Sequence, residues 1–566
     1  MQIVRRNVPS AASALAAAGV APVLARIYAS RGILSVTELA DDLSLLPSWR
    51  SLKGIEAAAT RLADAIERCE RLLIVADYDA DGATACAVGA RGLASLGAKV
   101  DYLVPNRFEF GYGLTPEIVA LGAARSPQVI ITVDNGIASV EGVAAAHARG
   151  IDVVITDHHL PGAVLPTPAL IVNPNQSGCE FPCKHLAGVS VMFYVLIALR
   201  AVMRDRGHFG SGTGPSLSGL LDLVALGTVA DVVKLDQTNR ILVAQGLRRI
   251  RAGRACAGVR ALFGVAGRNP TLATAHDLGF VVGPRLNAAG RLADMSIGIA
   301  CLLTDDDAVA LRAASELDRL NRERREVETT MQDQALASID ATVADDGYTL
   351  CLYRPEWHQG VVGIVASRLK DRFHRPTLVF ARAADGELRG SGRSIPGFHL
   401  RDALDLVAKR LPGAIQRFGG HAHAAGLTLS EAELPRVAAE FERVAREWLP
   451  REALSRELET DGELAPRELT LELADHLRMH VWGQGFPAPL FDGKFAVVEQ
   501  RPVGEDHVRA ILAHAGRRID AIAFRTGGPL PADVHAVYRP DRNEYQGLHS
   551  LQVVLEHWQA VSGTPS

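Results

Sequence analysis

Apolar positions in this chain change their period from region to region. Residues 1–70 are rich in Ala and Leu with charges on one face, which predicts helices. From Arg71 onward, short apolar runs alternate with helical stretches. The runs are Arg71–Ala76, Lys99–Val104, Val129–Val133 and Val153–Thr156. That alternation predicts a parallel sheet in an α/β domain. Residues 207–219 are rich in Gly and Ser and predict a loop. Residues 305–341 hold no Gly or Pro and are strongly charged, which predicts a long helix bridging domains. A second α/β region is expected from about Tyr348 to Pro450. Beyond Glu457 come short β-like runs, such as Phe495–Val498, Ile519–Phe524 and Leu551–Leu555, which predict a small barrel.

A length of 566 residues supports several domains. The expected division is 1–50, a helical segment; 51–300, a catalytic α/β domain; 301–345, the connecting helix; 346–450, a second α/β domain; and 451–566, the barrel. With 60 Lys+Arg against 64 Asp+Glu, the net charge of -4 excludes a uniformly basic, histone-like binder. It leaves room for local patches. Residues 354–417 carry 12 Lys+Arg against 6 Asp+Glu, and 240–270 carry seven Arg and no acid. Either can be a solvated face or a track for a polyanion. Seven Cys, an odd number, argue against a disulfide scaffold and for a reducing cytoplasm. No run is long and apolar enough for a membrane span. Arg5 and Arg6 precede an Ala-rich stretch, but it is short and runs into Arg26 without a cleavage segment, which argues against export. Cys179, Cys183 and His185 lack an evident fourth zinc ligand and read as idle or buried thiols.

The candidate chemistry begins after the first predicted strand, at Asp77-Tyr-Asp79-Ala-Asp81-Gly82. In an extended segment these three carboxylates share one face. Like charges so close raise one another's pKa unless a cation sits among them. A solvated turn and a calcium loop are the alternatives. The calcium loop lacks an acid at its twelfth position, which is Val88. Further apolar runs end in Asp134-Asn-Gly136, Asp157-His158-His159 and Asp231. Four segments thus deliver Asp or His to the carboxyl edge of a parallel sheet, where ligands bind. An oxygen-rich set with one or two imidazoles suits Mn²⁺, with Mg²⁺ as a substitute. So many carboxylates suggest two ions, an arrangement that hydrolyses phosphate esters. In the second α/β region, Arg389-Gly-Ser391-Gly-Arg393 and Phe418-Gly419-Gly420-His421 can bring backbone N–H groups and a guanidinium to an anion.

These motifs, in this order, resemble those of the DHH phosphoesterase superfamily. The stretches Pro105-Asn-Arg107-Phe-Glu-Phe-Gly-Tyr-Gly113 and Gly283-Pro-Arg285-Leu-Asn287-Ala-Ala-Gly290-Arg291 resemble its RecJ branch of single-strand-specific exonucleases. One departure is Ala76, where many relatives carry Gly before the first Asp. The resemblance implies a parallel-sheet DHH domain, a long helix, a DHH-associated α/β domain and a C-terminal OB-like barrel introduced by Trp482-Gly-Gln-Gly-Phe-Pro. It implies Asp79, Asp81, Asp134, His158 and Asp231 as metal ligands, with Asp77 and Asp157 at the site and His159 facing the scissile phosphate. It implies Arg107, Arg285, Asn287, Arg291, Ser391, Arg393, Gly419, Gly420 and His421 as substrate-binding. The implied activity is 5′→3′ hydrolysis of single-stranded DNA to 5′-mononucleotides, in repair and recombination. The strand would thread between the two α/β domains, whose spacing excludes duplex. A monomer is expected, with a single-strand-binding protein or a helicase as candidate partners. The alternatives are a hydrolase of short oligonucleotides, cyclic dinucleotides or inorganic (poly)phosphate, and a non-catalytic scaffold. The basic stretches and the extra barrel argue against the first, and the complete ligand set against the second.

Overall fold

The computed structural model describes residues 1–106, 110, 112–339, 346–504, 506–545 and 548–561. The chain forms two compact units. The larger holds residues 5–290, 294–318 and 459–566; the smaller holds 1–4, 291–293 and 319–458.

The chain opens with strand β1 (Gln2–Arg5), where the Ala/Leu-rich composition of residues 1–70 predicts only helix. Ile3 and Val4 are β-branched and favour extended backbone. Helices follow at Ala11–Ala17, Pro22–Ala29 and Ile55–Glu67.

The core of the larger unit is a five-stranded parallel sheet. Its strands are β2 (Arg71–Ala76), β3 (Lys99–Leu103), β4 (Val129–Val133), β5 (Asp152–Thr156) and β6 (Leu170–Val172). Their order is β3-β2-β4-β5-β6. β4 is buried along its whole length, as expected of a parallel strand covered on both faces. On one face, Leu73, Val75, Ile130 and Ile155 pack with Ile118, Val119 and Val143 of the helices Pro116–Ala123 and Val140–His147. The other face is covered by Ala80–Ser95, which also packs on the helices Gly188–Asp205 and Leu221–Ala230. After β2 the chain crosses to β3 on one side and then to β4 on the other. The reversal opens a crevice at the carboxyl ends of β2 and β4.

The smaller unit has a mixed sheet of β7 (Leu350–Tyr353), β8 (Thr377–Arg382), β9 (Leu388–Arg393), β10 (Arg417–Gly420) and β11 (Ala424–Leu429). The order is β10-β11-β9-β8-β7, with only β7 and β8 parallel. Phe380, Phe398, Leu404 and Phe441 fill its core beneath the helices Leu400–Arg410 and Leu434–Trp448. The predicted long helix is present at Asp307–Ser338, 32 residues long, and the division into units falls inside it.

After β12 (Glu457–Thr460), which pairs with β1, comes the barrel. It comprises β13 (Phe491–Val503), β14 (His507–His514), β15 (Arg517–Phe524), β16 (Asp533–Tyr545) and β17 (Leu548–Ala560), closed in the order β13-β14-β15-β17-β16. Phe491, Phe495 and Tyr538 lie in its interior. The multidomain α/β architecture with a terminal OB-like barrel is the one expected. All seven Cys are free; Cys179 accepts a hydrogen bond from Lys53 N and Cys183 is buried, and no zinc cluster forms among the described residues. No helix among the described residues is long and apolar enough to cross a membrane.

Candidate metal centre

The crevice gathers the carboxylates. Asp77 leaves β2 and its N–H donates to Val133 O; Asp134 leaves β4 and donates to Thr156 O; Asp157 leaves β5 and donates to Val172 O. Each strand end is thereby tied to its neighbour, and the three Asp share one edge.

Two local expectations need correction. The Asp77–Asp81 segment is not extended throughout: Asp79 is the N-cap of the helix Ala80–Ser95, accepting from Gly82 N at 3.0 Å, and Asp81 sits in its first turn. The apolar run ending in Asp231 is the helix Leu221–Ala230, not a strand. Asp231 is its C-cap, followed by Val232 at φ +61°, a left-handed conformation that a β-branched residue rarely adopts.

His158 Nε2 lies 3.1 Å from Asp134 Oδ1, 3.5 Å from Asp231 Oδ2 and 4.0 Å from Asp81 Oδ2. Ligand atoms of Asp81, His158 and Asp231 fall within 4.8 Å of one another, as do those of Asp77, Asp79 and Asp134. These are two adjoining sets, with Asp134 close to both. Asp134 Oδ1 and His158 Nε2 are buried without a hydrogen-bond partner. Asp81 is better supplied, accepting from Gly188 N at 2.6 Å and Val189 N at 2.9 Å. Gly188 is required here, because a Cβ would stand 2.6 Å from Asp134 Cβ.

The electrostatics follow from this crowding. Burial, then Asp79, pushes the Asp81 carboxyl up to about 7. Burial and the neighbouring carboxylates raise Asp134 and Asp231 well above the usual range. Burial, then His159, lowers His158 to about 4, so it is neutral and able to ligate. His159 differs. Burial lowers it, but its Nδ1 lies 2.7 Å from Asp157 Oδ1, and that bond wins, raising it to about 8. Asp157 is itself fixed by N–H donors from Ile137, His158 and His159. Burial opposes its ionisation, yet the His159 bond holds it below the usual range.

Some contributors are not evident from motif spacing. Asn173 Nδ2 donates to His159 O and Asn175 Nδ2 to His158 O, fixing the His-His turn. Tyr112, in the stretch 105–113, places its hydroxyl 3.2 Å from His159 Nδ1. The segment leading into the barrel braces the Asp231 loop: Leu235 N donates to Gln484 O at 2.8 Å. Gly485, at φ +70°, lies where a Cβ would be 2.5 Å from Lys234 Cγ.

The predicted substrate residues fall in three places. Asn287 turns inward, its Oδ1 accepting from Ala80 N at 2.8 Å. Arg285 is buried, bonded to Asp318 Oδ1 and Val281 O. Arg291, in the smaller unit, donates to Gly360 O. Ser391, Gly426 and Gly419 lie in one row across β9, β11 and β10. Arg393 Nη1 donates to Ser391 Oγ at 3.1 Å, and burial lowers its pKa. Gly420 ends β10 and His421 N donates to Ala424 O. Arg107 lies outside the described residues.

Three family models match the chain. They are the DHH family N-terminal domain over 71–228, the DHHA1 domain over 346–447 and the RecJ OB domain over 460–557. The chain is 48% identical over 571 residues to the single-stranded-DNA-specific exonuclease RecJ of Escherichia coli, covering 98% of this chain and 99% of that protein. It is similar to the crystal structure of Thermus thermophilus RecJ in complex with Mn²⁺. The TM-score is 0.83 at 31% identity, over 99% of this chain and 80% of that one. The Mg²⁺ complex of the same protein gives 0.78 at 30%, over 99% and 78%.

Proposed function

Since the chain belongs to the RecJ family of single-stranded-DNA-specific exonucleases, we propose that the acidic crevice is its hydrolytic centre. The centre acts on single-stranded DNA from the 5′ end and releases 5′-mononucleotides, in repair and recombination. The observation that carries this is the pair Asp134 Oδ1 and His158 Nε2. They are buried, 3.1 Å apart and without hydrogen-bond partners, among carboxylates whose pKa is raised by burial and by one another. Neutral imidazole and hard oxygen donors in that geometry fit a divalent cation, with Mn²⁺ preferred and Mg²⁺ a substitute. Asp81, His158 and Asp231 would hold one ion and Asp77 and Asp79 a second, with Asp134 between. When bound there, such ions would supply positive charge for the scissile phosphate oxygens and lower the pKa of an attacking water.

The chain's own residues do the rest. Asp157 fixes the His159 ring, whose raised pKa keeps a proton available for the scissile phosphate or its leaving oxygen. Ser391 and Arg393, with the glycine row beside them, bind backbone phosphate in the smaller unit.

The test uses long single-stranded DNA labelled at the 5′ end in one sample and the 3′ end in another, with Mn²⁺. Immediate release of labelled mononucleotide from the 5′ sample only, with duplex untouched, is expected. No release from either end by metal-loaded protein would transfer the assignment to a hydrolase of small phosphates.

A further inference from the structure

The barrel is where its fold leads one to look for aromatic side chains that stack on bases. Its aromatic residues are largely spent on packing. Phe491, Phe495 and Tyr538 are buried, and in the segment leading into the barrel Trp482 and Phe486 stack with each other and with Tyr28. Phe524 is exposed but meets His507 edge-on, at 79°.

The most exposed aromatic among the described large apolar residues lies elsewhere. Phe280 is 70% exposed. It stands on a π-helical turn, Leu278–Val282, a rare conformation that concentrates at functional sites. Leu278 and Val282 on the same turn are buried, so the turn is anchored while Phe280 faces outward. The His276 ring lies beneath it, 4.8 Å away and tilted by only 23°, which makes a two-ring stack.

The turn also packs on the end of the helix that presents Asp231. A Cβ on Gly279 would stand 3.1 Å from Val229 Cγ1, and one on Gly283 3.1 Å from Ala230 Cβ. The turn that carries the stack therefore lies against the helix end that presents Asp231. Charged groups surround it: Arg268 lies beside Asp277, and Arg539 pairs with Asp541 and Glu556, with both guanidinium side chains substantially exposed. A flat, exposed apolar face flanked by cations has the chemistry of a base platform with phosphate contacts.

We propose that Phe280, backed by His276, is a stacking platform for one nucleobase of the single-stranded substrate close to the scissile phosphate. The inference rests on the exonuclease reading and deepens it. A base within a duplex has both faces covered by its neighbours and cannot reach such a platform without unstacking. The platform would thus contribute to strand selectivity.

The test places 2-aminopurine at successive positions of a single-stranded oligonucleotide and measures binding in chelator by full-length wild type, Phe280→Leu and Phe280→Trp. One position should be quenched on binding by wild type and by Phe280→Trp, and that quench should vanish in Phe280→Leu. The dissociation constant of Phe280→Leu should rise roughly ten-fold, the scale of one lost base–aromatic stack. Equal quenching and affinity in wild type and Phe280→Leu would overturn the platform alone. Failure of wild type to bind single-stranded DNA would overturn the exonuclease reading and the platform with it.

Discussion

Two sets of aspartates in the larger unit, buried or half-buried, differ in what surrounds them. At the crevice, Asp81, Asp134 and Asp231 face one another, and burial with mutual repulsion raises all three. Where the barrel meets the N-terminal segment, Asp461 and Asp492 are also buried but fully supplied. Asp461 accepts from Arg31 through both oxygens, at 2.6 and 2.9 Å, and from Leu490 N. Asp492 accepts from Arg5, Thr460 and His535, bonds that outweigh its burial and lower its pKa. Burial of a carboxylate therefore does not mark function. Burial without compensation does, because the missing cation must come from outside the chain.

The largest expected effect tests the uncompensated set. Asp134→Ala should lower turnover on single-stranded DNA by about 10⁴-fold, the scale of losing a central catalytic group. The melting temperature in chelator should hold or rise, because a repelling charge is gone. Retained turnover, or a protein that unfolds, would make Asp134 a structural residue like Asp461.

The acidic crevice is also the part most legible in the sequence. Asp77, Asp134 and Asp157 each end an apolar run, and alternating runs and helices dictate that their carboxyl ends share an edge. Asp231 was placed at that edge through a helix rather than a strand. Leu226-Gly-Thr-Val-Ala reads either way, since a short apolar run has no distinguishing period. The paired set was not legible at all. Arg31 and Asp461 are 430 positions apart, and nothing local in either segment specifies the other. The same holds for Asn287, whose motif points to substrate while its side chain supports Ala80 N, 207 positions away.

A smaller effect should come from the compensated set. Arg31→Met leaves Asp461 buried without its cation, and breaking such a pair costs about 3–5 kcal/mol. Denaturant titration should show that loss, while the Mn²⁺ concentration for half-maximal activity of the folded protein stays near wild type. A variant of unaltered stability would show that water or Ser30, which approaches Asp461 Oδ1 at 3.3 Å, already suffices for the carboxylate.

The smallest effect separates the two sets without mutation. A carboxyl with a raised folded pKa keeps a proton that the unfolded chain releases. Its contribution is fully present below about pH 4 and is lost as pH rises through the folded value, about 7 for Asp81. Asp134 and Asp231 act in the same direction. His159, raised to about 8, also loses its contribution as pH rises, whereas His158, lowered to about 4, acts oppositely between pH 4 and 6.5, one group against four. Asp492, with a lowered pKa, gives stability above its unfolded value and loses it only in stronger acid. In chelator, the melting temperature should therefore fall by several degrees between pH 5 and pH 8. Excess Mn²⁺ should flatten or reverse that slope, because bound cations favour the ionised carboxylates. The same falling slope with and without Mn²⁺ would mean that the crevice carboxylates do not meet the metal, and the contrast between the two sets would lose its functional meaning.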